Sequence, residues 1–289
     1  MASRRIVLPG FEGLPLYSVA IFFFKGLYKG SITTRASSLA FNFFLALFPS
    51  IIFLFTLIPY VPIASFQDTL FELLKEVMPK AAFEASEDTI LDIIKNQHGG
   101  LLSVGFISAL FFSTNGVSSM IDGFNNTYHA IASRSLLQQR LISLILVLIT
   151  TLLLVIAIAL IIYSAIILKA LPLGHSSRYL IQIGRFVIVV LLLFMIISFN
   201  YYLGPINKKG WRFISAGSTF TTIMCLLTSL GFAWYVNHFG TYNKLYGSIG
   251  TLIIVLLWIY FNSIMLLLGF ELNASIHSAG KNGGKKSLL

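Results

Sequence analysis

The chain is short of charge. Asp, Glu, Lys and Arg make up 10% of its 289 residues, against about 25% in soluble domains. So few charges cannot cover a globule with water-compatible surface, and the solvent that accepts the remainder is the bilayer. There is one cysteine, Cys225, so no intramolecular disulfide can form and no redox compartment follows. Carboxylates are scarcer still: ten in all, seven of them (Asp68, Glu72, Glu76, Glu84, Glu87, Asp88 and Asp92) between positions 62 and 100. The five histidines, His98, His129, His175, His238 and His277, fall in or beside five different connections. No pair has metal-ligand spacing, so neither a metal nor another cofactor is expected. There is no GxxxxGK[ST] loop to hold ATP phosphates, and no spacing that suggests a Ser-His-carboxylate group. These absences argue against an enzyme.

Apolar length is abundant, with 57% of the residues hydrophobic. A spanning helix needs about 20 apolar residues, and six runs supply them, at about 38–61, 101–121, 141–168, 179–203, 213–236 and 249–272. The fold class expected is all-α: a single polytopic membrane helical bundle over residues 1–289. Pro49 should break the first span, and Pro59 and Pro62 should end it. Leu16 to Phe24 follows Arg4 and Arg5 like a signal peptide, but Lys25 and Lys29 stand where a small-residue cleavage site would be. The stretch 15–30 therefore reads as an uncleaved amphipathic helix lying at the interface. No repeat at fixed spacing is visible.

Orientation follows from Lys and Arg. Thirteen of the twenty fall on the side of the termini and the connections around Arg134, Arg140, Lys208, Lys209 and Arg212; seven fall on the other. The richer side should be cytoplasmic, with both termini inside and 273–289 as a cytoplasmic tail. The net charge of +10 then points to anionic headgroups at that face as partners, not to nucleic acid, because no long basic run lies outside the apolar segments. The 62–100 connection falls outside. Its residues Phe66, Leu70, Leu73, Leu74 and Val77 repeat at helical spacing, with Asp68, Glu72 and Glu76 on another face. Ser86 reads as the N-cap of a second helix bearing Ile90, Leu91 and Ile94. Two short amphipathic helices capping the spans are expected. Tyr201, Tyr202 and Trp211, and Trp234, Tyr235, Tyr242 and Tyr246, read as aromatic belts on opposite sides.

An ionisable residue in lipid is costly and marks either a partner or a function. Glu271 is the clear case, and Asp122 a marginal one at the end of the second span. Glu271 near the end of the sixth span matches Arg35 at the start of the first in depth, so a structural salt bridge is the first reading and proton coupling the second. Arg140 is the fallback partner. Asn42, Ser113, Thr114, Asn115, Asn200 and Asn262 lie in or near spans. Each alone reads as helix–helix glue, and several facing one cavity would make a polar path.

Arg35-Ala36-Ser37-Ser38-Leu39-Ala40-Phe41 with Ala46-Leu47-Phe48-Pro49, and Asn126-Thr127-Tyr128-His129 with Arg134 and Arg140, carry a resemblance. So do Tyr201 to Asn207 with Trp211 and Gly217, Tyr246-Gly247-Ser248-Ile249-Gly250, Trp258-Ile259-Tyr260, and Gly269-Phe270-Glu271-Leu272-Asn273. In this order and spacing they resemble the bacterial YihY/BrkB membrane proteins, once labelled ribonuclease BN. Phe112 departs from the family's usual Trp and Phe270 from its usual Ala. The resemblance implies a six-span protein of the bacterial plasma membrane, and suggests links to envelope lipid transport for some members. The ribonuclease label does not fit these residues. A transporter or lipid-translocating protein is the leading functional expectation, a non-transporting envelope scaffold the alternative, and a membrane-embedded enzyme the third. The residues for a substrate path or a structural polar network are Arg35, Asn42, Asn115, Arg134, Arg140, Asn200, Glu271 and Asn273. A homo-oligomer is left open.

Overall fold

The computed structural model describes residues 10–11, 13–60, 67–68, 71–72, 75, 80–127, 130–131, 134–170, 175–206, 212–239 and 248–286. Among them the chain is all-α and polytopic. Its helices are α1 (Leu16–Lys29), α2 (Ile32–Leu57), α3 (Lys80–Lys95), α4 (Gly99–Asn125), α5 (Leu136–Ala170), α6 (His175–Leu203), α7 (Ala216–Phe239) and α8 (Ser248–Lys286). After α4, Asn126 and Thr127 pair antiparallel with Ile131 and Ala130. Six segments are long and apolar enough to cross a bilayer: Ile32–Tyr60, Gly99–Asn125, Leu136–Ile161, Tyr179–Leu203, Ala216–Val236 and Gly250–Gly280.

The helices run past the apolar stretches that announce them. The first span, expected from 38, begins its helix at Ile32, because Ser31 accepts the Arg35 amide at 3.1 Å and starts the ladder early. Ser31 has φ 46° and with Gly30 makes the two-residue link between α1 and α2. Residues 273–286, expected as a tail, continue α8. Pro49 does not break α2 but lies inside it. The proline removes one amide donor, while the Ser50 hydroxyl adds a donor beside the gap, to the Ala46 carbonyl at 2.7 Å.

The chain forms two compact units, residues 42–115 and residues 1–41 with 116–289. In the first, α2 and α4 approach closely where Gly105 meets the Phe53 backbone, and the Phe53 and Phe106 rings lie 5.4 Å apart. Helix α3 packs on the turn Ile58–Tyr60 and buries Ile94. Ser86 is not an N-cap: α3 starts at Lys80, since the helix-forming residues Lys80, Ala81, Ala82 and Glu84 carry it back past the serine. Most of 61–79, including Leu70, Leu73, Leu74, Glu76 and Val77 of the first cap helix, lies outside the described residues; Gln67, Asp68, Phe71, Glu72 and Lys75 are helical.

In the second unit each helix packs on the next, α5 on α6, α6 on α7 and α7 on α8, and α1 runs back along α8. A small core of Phe11, Val19, Ile276 and Ala279 fastens α1 there.

Candidate functional site

Arg35 leaves the first turn of α2 and Glu271 lies near the end of the apolar part of α8. The sequence placed them at one depth, and the structure puts Arg35 Nη2 3.7 Å from Glu271 Oε2. The Glu271 side chain is 0% exposed and that of Arg35 11%. The other guanidinium nitrogen, Nη1, donates to the Gly123 carbonyl of α4 at 2.6 Å. Helix α1 closes the remaining side. A Cβ on Gly26 would overlap Glu271 Oε1, so only glycine lets α1 lie flat on the carboxylate. Four helices thus meet at one buried ion pair.

Two residues beyond Glu271, Asn273 serves the start of α7. Its Oδ1 accepts the Gly217 amide at 2.8 Å and its Nδ2 donates to Ser215 Oγ at 2.9 Å. Ser215 is itself the cap, accepting the Ser218 amide at 3.1 Å. The first amides of a helix have no partner within it; at α7 the neighbouring helix supplies one. Asn273→Ala should therefore cost about 1–2 kcal/mol. The measurement is thermal unfolding of the purified protein, and Asn273→Asp, which keeps the acceptor, should recover most of the loss.

Below this cap α7 and α8 touch backbone to backbone. A Cβ on Gly217 would overlap the Gly269 carbonyl, and one on Gly269 would overlap Thr221 Oγ1. The Tyr201 hydroxyl bridges the crossing, donating to the Leu266 carbonyl at 2.5 Å and lying 2.6 Å from Thr221 Oγ1. Tyr201 was expected in an interfacial belt but is 1% exposed, because its hydroxyl finds partners inside the protein. Phe124 stacks on Phe270 at 4.3 Å and meets Tyr201 edge-on at 5.5 Å. Phe270, the departure from the usual small residue, fills this space.

Of the other expected site residues, Arg134 donates to the Gly204 and Pro205 carbonyls, both at 2.7 Å. It closes the C-terminal end of α6, and burial lowers its pKa. Asn200 donates to the Ile196 carbonyl at 2.8 Å, and its buried Oδ1 has no hydrogen-bond partner among the described residues. Arg140 is exposed near the start of α5. Asn42 and Asn115 are half-buried in the 42–115 unit, whereas the other six belong to the second unit. Asp122 is exposed and accepts from Gln139 at 2.7 Å. Within the second unit the structure gathers Arg35, Glu271 and, two residues further along α8, Asn273. Gly26, Gly123, Gly217, Gly269, Thr221 and Phe124 complete this region without a mark in the sequence, apart from the place of Gly217 and Gly269 in the resembling motifs. Among the described residues, no group of three or more His, Cys, Asp or Glu could hold a metal ion.

The sequence model of the family described as Virulence factor BrkB matches residues 23–287. The ribonuclease-like protein YfkH of Bacillus subtilis (strain 168) is 31% identical over 252 residues, 86% of this chain and 91% of that protein. A UPF0761 membrane protein of Haemophilus influenzae (strain 86-028NP) is 23% identical over 270 residues, 93% of this chain and 98% of that protein. Another, of Stenotrophomonas maltophilia (strain K279a), is 26% identical over 83% of this chain, which spans 56% of that relative's length. No solved structure matches.

Proposed function

We propose that this chain, an integral membrane protein that belongs to the Virulence factor BrkB family, moves an amphipathic substrate, a lipid or lipid-like molecule, across the bacterial plasma membrane. The observation that carries the reading is the Arg35–Glu271 pair, buried where α1, α2, α4 and α8 meet. Ionisable side chains inside a membrane protein are expensive and commonly mark substrate or ion pathways. A groove of about 360 Å³ between α7 and α8, lined by Phe232, Val236, Ile254, Val255 and Trp258, adds an apolar surface suited to an acyl chain. No chemistry on the substrate is part of this reading.

The test is a lipid and metabolite profile of a deletion strain, joined to lipid translocation by the purified protein in vesicles. A shifted lipid class, restored by the wild type and not by a Glu271→Gln chain of equal abundance, is expected. An unchanged profile with no translocation would leave the second reading, an envelope scaffold. That reading is favoured by the second bond of Arg35 to Gly123, which makes the pair a fastener as well as a charge site.

Both termini are proposed to be cytoplasmic, on the excess of Lys and Arg beside them. Reporter fusions after residues 80 and 285 should then report opposite sides of the membrane.

A further inference from the structure

Helix α1 has two apolar faces. One carries Val19, Phe22 and Gly26 and is fixed on α8. The other presents Tyr17, Ile21, Phe24, Lys25 and Tyr28, which line a shallow groove of about 560 Å³. Tyr28 is 92% exposed and Phe24 67%. Because Gly26 rests on the Glu271 carboxylate, α1 cannot rotate this face inward. A contiguous apolar face of this kind marks an interaction surface.

Length, position and charge decide what covers it. The 14 residues of α1 reach about 21 Å at 1.5 Å per residue, short of the roughly 30 Å of hydrocarbon a span must cross. The helix can enter one leaflet and no further. Only Gly30 and Ser31 separate it from α2, whose apolar run spans the membrane, so α1 is tied to the boundary where α2 enters. Lys25 shares this exposed face with Phe24 and Tyr28, so the face carries one ammonium group. Rings seated in the acyl boundary with a cation at headgroup level are the composition of a helix bound to an anionic leaflet. A second protein copy would have to bury that ammonium group, whereas lipid phosphates would neutralise it.

We propose that the outer face of α1 is a binding surface for anionic lipid of one leaflet, with Phe24 and Tyr28 in the acyl boundary and Lys25 on the headgroup phosphate. This goes beyond the transport reading and does not depend on it.

The full chain with Cys225→Ser and Phe24→Cys, labelled with an environment-sensitive fluorophore, tests the proposal in phosphatidylcholine vesicles. These carry a fixed fraction of brominated phosphatidylglycerol or brominated phosphatidylcholine. Quenching should show phosphatidylglycerol enriched about fivefold at the label, the contribution of one lysine near a membrane surface. Lys25→Gln should remove the enrichment and leave quenching by phosphatidylcholine. Equal quenching by the two lipids in the parent chain overturns the proposal, and so does quenching by neither, which would mean that protein covers the face. Should Phe24→Cys fail to fold, Tyr28→Cys reports from the same face with the same expectations. Translocation of a labelled lipid in these vesicles is a separate reading: its loss with the enrichment intact counts against transport alone, and enrichment lost with translocation intact counts against this surface alone.

Discussion

Gly269→Ala should lower both the yield and the thermal stability of the folded protein. The added methyl would overlap Thr221 Oγ1, and would lie 2.7 Å from the Gly217 carbonyl oxygen and 2.8 Å from the Tyr201 hydroxyl. None of the three can step aside cheaply. Gly217 is backbone, with its amide held by Asn273. The Tyr201 hydroxyl donates to the Leu266 carbonyl of α8 and accepts from the Thr221 hydroxyl. Relief requires α7 and α8 to separate, which also breaks the bond from Asn273 to the Gly217 amide. Overpacking of this kind costs about 3 kcal/mol, the upper end of the usual range, against a total stability of about 5–15 kcal/mol. The measurement is the monodisperse fraction after solubilisation, followed by thermal unfolding. Gly231→Ala on the partner helix α7 is the control: its Cβ would meet nothing within 4 Å, and alanine should be neutral or slightly favourable there. Adding Thr221→Ala to Gly269→Ala should recover part of the loss, because it removes the nearest obstacle. Normal yield of Gly269→Ala would mean that the two helices do not cross at this point.

This crossing shows where a sequence stops being informative. Long apolar runs betray spanning helices because the bilayer demands a minimum length, so all six were legible. Their ends were not: hydropathy reads only the apolar part of a helix, while capping at Ser31 and the continuation of α8 depend on backbone bonds. Pro49 and Ser86 misled for the same reason, since each was weighed as a local breaker or starter and the surrounding helix formers prevailed. Arg35 and Glu271 could be paired beforehand because charges in lipid must match in depth. Gly26, Gly217 and Gly269 could not be identified as contact points, as a glycine reveals a close approach only when the opposing surface is known. Tyr201 looked like a belt residue because its ring is amphipathic. That its hydroxyl is satisfied by Leu266 and Thr221, far along the chain, is a tertiary fact.

Removing either half of the buried pair should be costly, and removing both should cost less than the sum. Glu271→Gln leaves the Arg35 cation, 11% exposed, with the Gly123 carbonyl as its remaining described bond. Arg35→Gln leaves a carboxylate that is 0% exposed beneath Gly26. Losing the opposite charge at such a place costs about 3 kcal/mol, on buried-pair and insertion measurements alike. In Arg35→Gln/Glu271→Gln both charges are gone and two amides of similar shape face each other, so the double loss should fall well short of the two single losses added. The readout is folded protein per cell and thermal unfolding in one detergent, for the wild type and all three variants. Additive losses would show that the two side chains do not act as a pair. The cycle also separates the two roles the pair can have. A fastener alone predicts that whatever folded Glu271→Gln protein is recovered translocates lipid at the wild-type rate per molecule. A charge site on the substrate path predicts that this protein is inactive, and that the double variant, though better folded, stays inactive. Activity that returns with folding would therefore reject the path reading and keep the fastener.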